Sequence, residues 1–381
     1  MSLPDLLQRW RTWPTMARSA TDWRRLPRRA ARYAPLPAAL DQQLLRALQT
    51  EGVRQLYSHQ AAAFQAAAAG QHLVVSTPTA SGKTLCYNLP VLQTLLQEPQ
   101  ARALYLFPTK ALAQDQLAAL GRLTAEIDAP LRIDTYDGDT PAAARRSIRE
   151  GAAIVVSNPD MLHTGILPHH TRWAAFFSGL RYVVIDELHT YRGLFGSHVA
   201  NVLRRLQRVA AFYGARPQFI CSSATIANPQ ALAERLVEAP FTLVDDDGSP
   251  SGEKHFVLYN PPLVNRELGI RRSPMLDARA LAGELLAQGV QTAVFARSRL
   301  ATEVLLTYLR DFAASQGWPA ERVRGYRGGY LPEERRAIER GLREGEVWGV
   351  VATNALELGV DIGQLAACLM VGYPGTIAST W

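Results

Sequence analysis

The sequence predicts an α/β protein built from two lobes in tandem, each with a mostly parallel sheet, and three observations carry that prediction. Its 381 residues are about two and a half times the ~150 of a typical domain. Short apolar runs alternate with helix-like stretches along most of the chain. The segment Asp245-Asp246-Asp247-Gly248-Ser249-Pro250-Ser251-Gly252 gathers charge and turn formers without periodicity and divides that alternation into two series.

In the first series the expected strands are His72 to Ser76, Ala103 to Phe107, Ile154 to Ser157, Tyr182 to Ile185 and Gln218 to Cys221. The unbroken hydrophobicity of Tyr182 to Ile185 suits a central strand covered on both faces. Ala61 to Ala69 and Ala111 to Leu120 are alanine-rich and read as helices. The second series offers strands at Thr292 to Ala296, Arg322 to Tyr326, Trp348 to Ala352 and Cys368 to Val371, with a charged helix from Glu333 to Arg343. The expected organisation is a basic N-terminal segment (1–45), a first lobe (46–247), a linker (248–270) and a second lobe (271–381).

Hydrophobic residues make up 48% and charged residues 20%, the balance of an ordinary globular chain that can bury sizeable cores. No run approaches the ~18 apolar residues of a membrane helix, and the start lacks a secretory apolar block, so no membrane partner and a cytoplasmic location are expected. The three cysteines Cys86, Cys221 and Cys368 lie far apart, against both a disulfide framework and a zinc site; each is expected to be a small buried hydrophobe. Residues 1–40 hold eight Arg against Asp5 and Asp22, which is +6 of the net +7. Attraction to polyanions must therefore come from local placement, and the Arg-rich start, interrupted by Trp10, Trp13, Trp23 and prolines, reads as an accessory or docking segment. Only three lysines occur, Lys83, Lys110 and Lys254, and the first two fall in motifs.

After the strand ending at Ser76 comes Thr77-Pro78-Thr79-Ala80-Ser81-Gly82-Lys83-Thr84, then an apolar helix-like stretch. This is the pattern of a phosphate-binding loop. Small residues let backbone N–H groups turn inward around a polyphosphate, Lys83 reaches the β and γ phosphates, and Thr84 can ligate Mg²⁺. Thr77 stands where the general pattern has glycine.

Asp186-Glu187-Leu188-His189 follows the buried strand Tyr182 to Ile185. Adjacent carboxylates at a strand end point in different directions, so Asp186 can hold Mg²⁺ while Glu187 orients and deprotonates a water. Taken alone, the pair reads equally well as a solvated acidic turn. Ser222-Ser223-Ala224-Thr225 closes another strand and is a weak signal by itself. So is Gln60 in Leu56-Tyr57-Ser58-His59-Gln60, whose amide can pair with adenine but whose plain reading is a surface polar residue. His163, His169, His170 and His198 lack acidic partners at metal spacing.

In this order the pieces resemble a superfamily 2 helicase: Gln60, Thr77 to Thr84, Pro108-Thr109-Lys110-Ala111-Leu112, Asp186 to His189, Ser223-Ala224-Thr225, and Ala352 to Asp361. Within that superfamily, Leu188 to Ala200, Gly252 to Phe256, Phe295 to Arg299 and Gly372 to Gly375 look like the MrfA/YprA branch and its fungal RecQ-four-like relatives. The resemblance runs from about residue 35 to the end. It implies two RecA-like P-loop lobes, ATP and Mg²⁺ as cofactors, and a single strand crossing both lobes.

Carried over by position, the resemblance gives Gln60 to adenine, Thr79, Ala80, Ser81, Gly82, Lys83 and Thr84 to the phosphates and Mg²⁺, Asp186 to the metal and Glu187 to the water. It gives His189, Ser223 and Thr225 a coupling role. Thr109, Lys110, Asn158, Pro159, Arg297 and Thr353 would face the nucleic acid, and Gly359 and Asp361 would approach the nucleotide from the second lobe. Asn158 also reads as a helix cap, and Arg297 as a solvated surface charge.

The implied function is an ATP-dependent DNA helicase moving 3′ to 5′ in DNA repair, acting on single-stranded or tailed duplex DNA and nucleoid-associated. In the family a Ser-Thr-Trp like Ser379-Thr380-Trp381 is followed by an arginine-rich motif that reaches the γ-phosphate. A fragment with a second lobe incomplete at its C-terminus is therefore expected. Two alternatives stay open: a catalytically deficient ATP- and nucleic-acid-binding fragment, and an RNA helicase.

Overall fold

Seven strands lie side by side in one parallel sheet, and its central, apolar strands are covered by helices on both faces. A computed structural model describes residues 2–129, 131–353, 356, 365–375 and 380. Its contacts divide the chain into two compact units, Arg28–Gly252 and a second formed by Met1–Pro27 with Glu253–Trp381.

In the 28–252 unit the strand order is Thr242–Val244, Leu73–Ser76, Gln218–Ser223, Leu180–Ile185, Arg102–Leu106, Ile154–Ser157, Ile133–Thr135, all parallel. Every residue of Leu73–Ser76 and Ile154–Ser157 is buried. Alternate residues serve opposite faces, as a two-residue period requires. Leu73, Val75 and Tyr105 join a core with Leu44, Phe64 and Tyr87. Val74, Leu104 and Val183 join another with Trp173, Phe177 and Leu203. The five expected strands of this lobe form, and two edge strands, Thr242–Val244 and Ile133–Thr135, were not foreseen because each is only three residues long.

The other unit has a parallel sheet in the order Val323–Tyr326, Gly349–Ala352, Thr292–Ala296, Ala367–Val371. Helices Pro274–Ala287, Arg299–Ser315 and Pro332–Arg343 accompany it. These are two RecA-like lobes. Cys86 and Cys221 are buried as expected, but Cys368 is exposed because it lies on an outer strand whose residues alternate in exposure.

The Arg-rich start differs from the expected single appendage. Leu3–Thr12 is a helix capped by reciprocal Ser2 and Asp5 hydrogen bonds. It buries Leu6 and Trp10, together with Met16 of the next helix Pro14–Ser19, against Leu285 and Val290, while Trp10 Nε1 donates to Glu284 Oε2 at 2.5 Å. Arginines mask this helix in a composition count because they occupy its outer face. Ala20–Leu26 then pairs antiparallel with Lys254–Tyr259, so part of the expected 248–270 linker is strand. Residues 28–34 belong to the other unit, where Tyr33–Ala34 pairs with Leu56–Tyr57.

Candidate active site and nucleic-acid interface

The phosphate loop leaves the buried strand Leu73–Ser76 and enters the helix Lys83–Gln97. Its turn uses two left-handed residues, Ala80 at φ 63° and Gly82 at φ 81°. A left-handed alanine is strained, and such strain gathers where backbone must face a ligand. At Gly82 a Cβ would stand 2.6 Å from Gln60 Nε2. Thr77 and Ser81 hydroxyls share a hydrogen bond of 2.7 Å, which closes the loop where the general pattern relies on glycine. Lys83 Nζ donates to the carbonyls of Thr77 (2.9 Å) and Pro78 (2.8 Å).

Asp186 follows Leu180–Ile185 and is buried. Its Oδ1 accepts the Ser222 hydroxyl and the Glu187 N–H (2.8 Å), and its Oδ2 accepts Tyr87 Oη at 3.3 Å. Burial pushes its carboxyl upward against those hydrogen bonds. Glu187 sits at φ 50°, ψ 46°, in the left-handed region. Burial, and then the Asp186 charge, push Glu187 up to about 7. Burial lowers Lys83, with Glu187 and Asp186 opposing that effect, so the three groups share one electrostatic site.

His189 joins this site to the next strand end. Its Nδ1 lies 3.4 Å from the Ala224 amide nitrogen, which donates to it, and 3.3 Å from Glu187 Oε2. Burial, then Lys83 and Arg192, lower its pKa and favour the neutral ring. Ser76 and Ser223 hydroxyls both donate to the Ala224 carbonyl, at 3.3 and 2.8 Å. Thr225 is exposed and lines a cleft of about 390 Å³ with Pro78, Arg29 and Asp246.

Gln60 is buried, and both ends of its amide are engaged. Oε1 accepts the Tyr57 N–H and Nε2 donates to the Gly82 carbonyl, each at 2.9 Å. It therefore braces the phosphate loop in this structure rather than presenting a free amide. Sequence reasoning missed Tyr87, and it named Ser222 within a motif without its bond to Asp186. Tyr87 is one helical turn beyond Lys83 and Thr84, and Ser222 directly precedes the singled-out Ser223, so spacing could have found both.

Thr109, Lys110, Asn158 and Pro159 follow the neighbouring strands Arg102–Leu106 and Ile154–Ser157, which places them on one edge of the sheet. Thr109 Oγ1 caps its helix through Leu112 N–H, and Asn158 Oδ1 caps the next through Met161 N–H at 2.8 Å. Lys110 is half exposed and pairs with Asp139 at 2.7 Å. In the other unit Arg297 is exposed and Thr353 half-buried, after the paired strands Thr292–Ala296 and Gly349–Ala352. Gly359 and Asp361 lie outside the described residues.

Two RecA-like lobes, the first with a phosphate loop beside the buried Asp186 and half-buried Glu187, define the class of P-loop motor proteins. Residues 57–232 match the DEAD/DEAH box helicase family and residues 277–381 the helicase conserved C-terminal domain. The chain is 56% identical to the ATP-dependent helicase YprA of Bacillus subtilis over 95% of its length, covering 48% of that protein. To the ATP-dependent helicase hrq1 of Schizosaccharomyces pombe it is 40% identical over 92% of its length, covering 34% of the relative. A crystal structure of the DUF1998 helicase MrfA bound to DNA and AMPPNP superposes with a TM-score of 0.95 at 54% identity, over 100% of this chain and 52% of that one. The chain belongs to the superfamily 2 helicases, in their MrfA/YprA-like branch. It spans about half the length of YprA and MrfA, and about a third of hrq1. Among the described residues, no helix is long and apolar enough to cross a membrane.

Proposed function

We propose that this chain is the motor of an ATP-dependent DNA helicase, coupling Mg-ATP hydrolysis to movement on single-stranded or tailed duplex DNA. The observation that carries the reading is the strained phosphate loop ending in Lys83, beside a strand end where Asp186 is buried and held by Ser222 and the Glu187 N–H. A buried carboxylate with two half-buried charged groups beside it is costly unless a charged ligand uses them.

The donor set fits Mg²⁺. It consists of hard oxygens, the Asp186 carboxylate and the Thr84 hydroxyl, and the Tyr87 phenol interacts with both. Adjacent carboxylates, Asp186 buried and Glu187 half-buried, both pushed upward, are the environment a divalent cation would relieve. When bound, Mg²⁺ would neutralise phosphate charge. The chain's own residues divide the remaining work. Thr79, Ala80, Ser81 and Gly82 offer backbone N–H groups to the phosphates, and Lys83 exchanges its loop carbonyls for phosphate oxygen. Glu187 takes the proton of the attacking water, a role that a carboxyl near neutrality suits. His189, Ser223 and Thr225 pass the state of that site to the neighbouring strand end.

Thr109, Lys110, Asn158, Pro159, Arg297 and Thr353 bind the strand backbone, with 3′ to 5′ polarity and a repair role proposed from the family. Gly359 and Asp361 complete the nucleotide site from the second lobe, Gln60 serves its adenine side, and the protein works in the cytoplasm at the nucleoid. The test is steady-state ATP turnover with and without single-stranded DNA or RNA, with Glu187→Gln as the blank. Turnover stimulated by DNA above that blank is expected. Nucleotide binding at blank turnover would make the chain a binding segment only, and preferential stimulation by RNA would move the substrate class.

A further inference from the structure

The chain crosses between its two units twice, at Pro27–Arg28 and at Gly252–Glu253. On each side of the crossings the two segments are antiparallel partners: Leu26 pairs with Lys254 in one unit, and Arg29 with Ser251 in the other. Within the 28–252 unit this double connector is tied down. Arg29 bonds Asp247, Arg32 bonds Asp246, and Arg32 N–H donates to the Gly248 carbonyl at 2.8 Å. Gly248 is packed so tightly that a Cβ would stand 2.8 Å from both the Arg32 carbonyl oxygen and the Ser58 nitrogen.

One side chain meets both this connector and the nucleotide loop. His59 opens the helix Ser58–Ala68, and only 1% of its surface is exposed. Its Nδ1 accepts the Gly248 N–H at 3.2 Å and lies 3.8 Å from Asp247 Oδ1. A neutral ring that accepts at Nδ1 carries its proton on Nε2. That Nε2 is sealed from solvent with no hydrogen-bond partner among the described residues. The ring lies within reach of the Ser81 backbone, inside the phosphate loop, and Tyr57 stacks on it at 5.9 Å. The next residue, Gln60, grips Gly82 of the same loop.

We propose that His59 is a positioning residue that couples the phosphate loop to the connector, with Nε2–H engaging the Ser81 carbonyl when nucleotide reshapes the loop. A buried donor whose bond to a loop carbonyl tightens in one loop arrangement biases the equilibrium toward that arrangement. The bias reaches Gly248 through the rigid ring. The inference rests on the nucleotide reading above but names a transmission route which that reading does not contain.

Hydrogen–deuterium exchange of the full chain tests it, with and without Mg-AMPPNP. In the wild type, nucleotide is expected to slow exchange about fivefold or more in the peptide spanning 245–252 as well as in the phosphate loop. In His59→Leu the loop still responds and the connector does not. His59→Asn, which keeps an acceptor near Gly248, guards against misfolding: its connector exchange without nucleotide should match the wild type and stay unchanged when nucleotide is added. A merely structural histidine would shift the baseline and leave the nucleotide response intact. An equal connector response in wild type and variants would overturn the inference, as would a wild type that binds nucleotide without any connector response. Failure of the wild type to bind nucleotide at all would overturn the nucleotide reading itself.

Discussion

The two lobes are parallel sheets of one design, yet their strand ends differ in chemistry. In the 28–252 unit the strand ends bury Ser76, Thr77, Asp186, Ser222 and Ser223. In the other unit the strand Thr292–Ala296 opens onto the exposed Arg297, and the buried polar residue of that strand, Thr292, is at its start. A shared fold therefore does not carry shared chemistry, which resides in the side chains at strand ends. Buried, hydrogen-bonded groups suit a site that must hold charge and exclude water. Exposed cations suit a polyanion that has to slide.

The contrast breaks most sharply at Glu187. Its change to Gln should lower ATP turnover about 10²- to 10⁴-fold while nucleotide binding persists, as read by a phosphate-release assay beside fluorescent-nucleotide titration. Loss of binding instead would make Glu187 a structural element of the loop. Lys83→Ala should cost at least about 100-fold in turnover and weaken nucleotide affinity too.

On the other lobe the largest expected effect is on stability. Trp10→Ala removes a buried ring from the contact with Leu285 and Val290, at about 3–5 kcal/mol. Chemical denaturation would measure it, and a change below 1 kcal/mol would return the N-terminal helix to the status of an appendage. Lys110→Ala in the first lobe and Arg297→Ala in the second should each reduce the slope of log affinity for single-stranded DNA against log salt by roughly one, with nucleotide affinity unaltered. An unchanged slope would remove that residue from the interface.

The smallest effect sharpens the electrostatic side. Glu187 has a folded-state pKa raised from 4.5 to about 7, so its ionisation destabilises the fold. That penalty is absent below pH ~4.5, grows as pH rises towards about 7 and is fully present above it. Glu187→Gln should accordingly raise the melting temperature by about 2–4 °C at pH 8, an effect of ~1 kcal/mol, and leave it unchanged near pH 4. A gain that did not depend on pH would point to packing.

Much of this molecule is determined by local pattern. Continuous apolar runs such as Tyr182 to Ile185 have few alternatives to a covered parallel strand, and the loop Thr77 to Thr84 announces itself because turning N–H groups inward demands small residues at fixed spacing. Order along the chain was enough to identify the helicase family. What only the tertiary structure decided involves partners distant in sequence. Tyr87 and Ser222 converge on Asp186, Gln60 turns its amide onto Gly82, and Trp10 packs against Leu285. His59 meets Gly248 across 189 positions. A periodicity reports which face of an element is buried, but not what covers it. That choice belongs to packing, where residues far apart in sequence compete for the same contact.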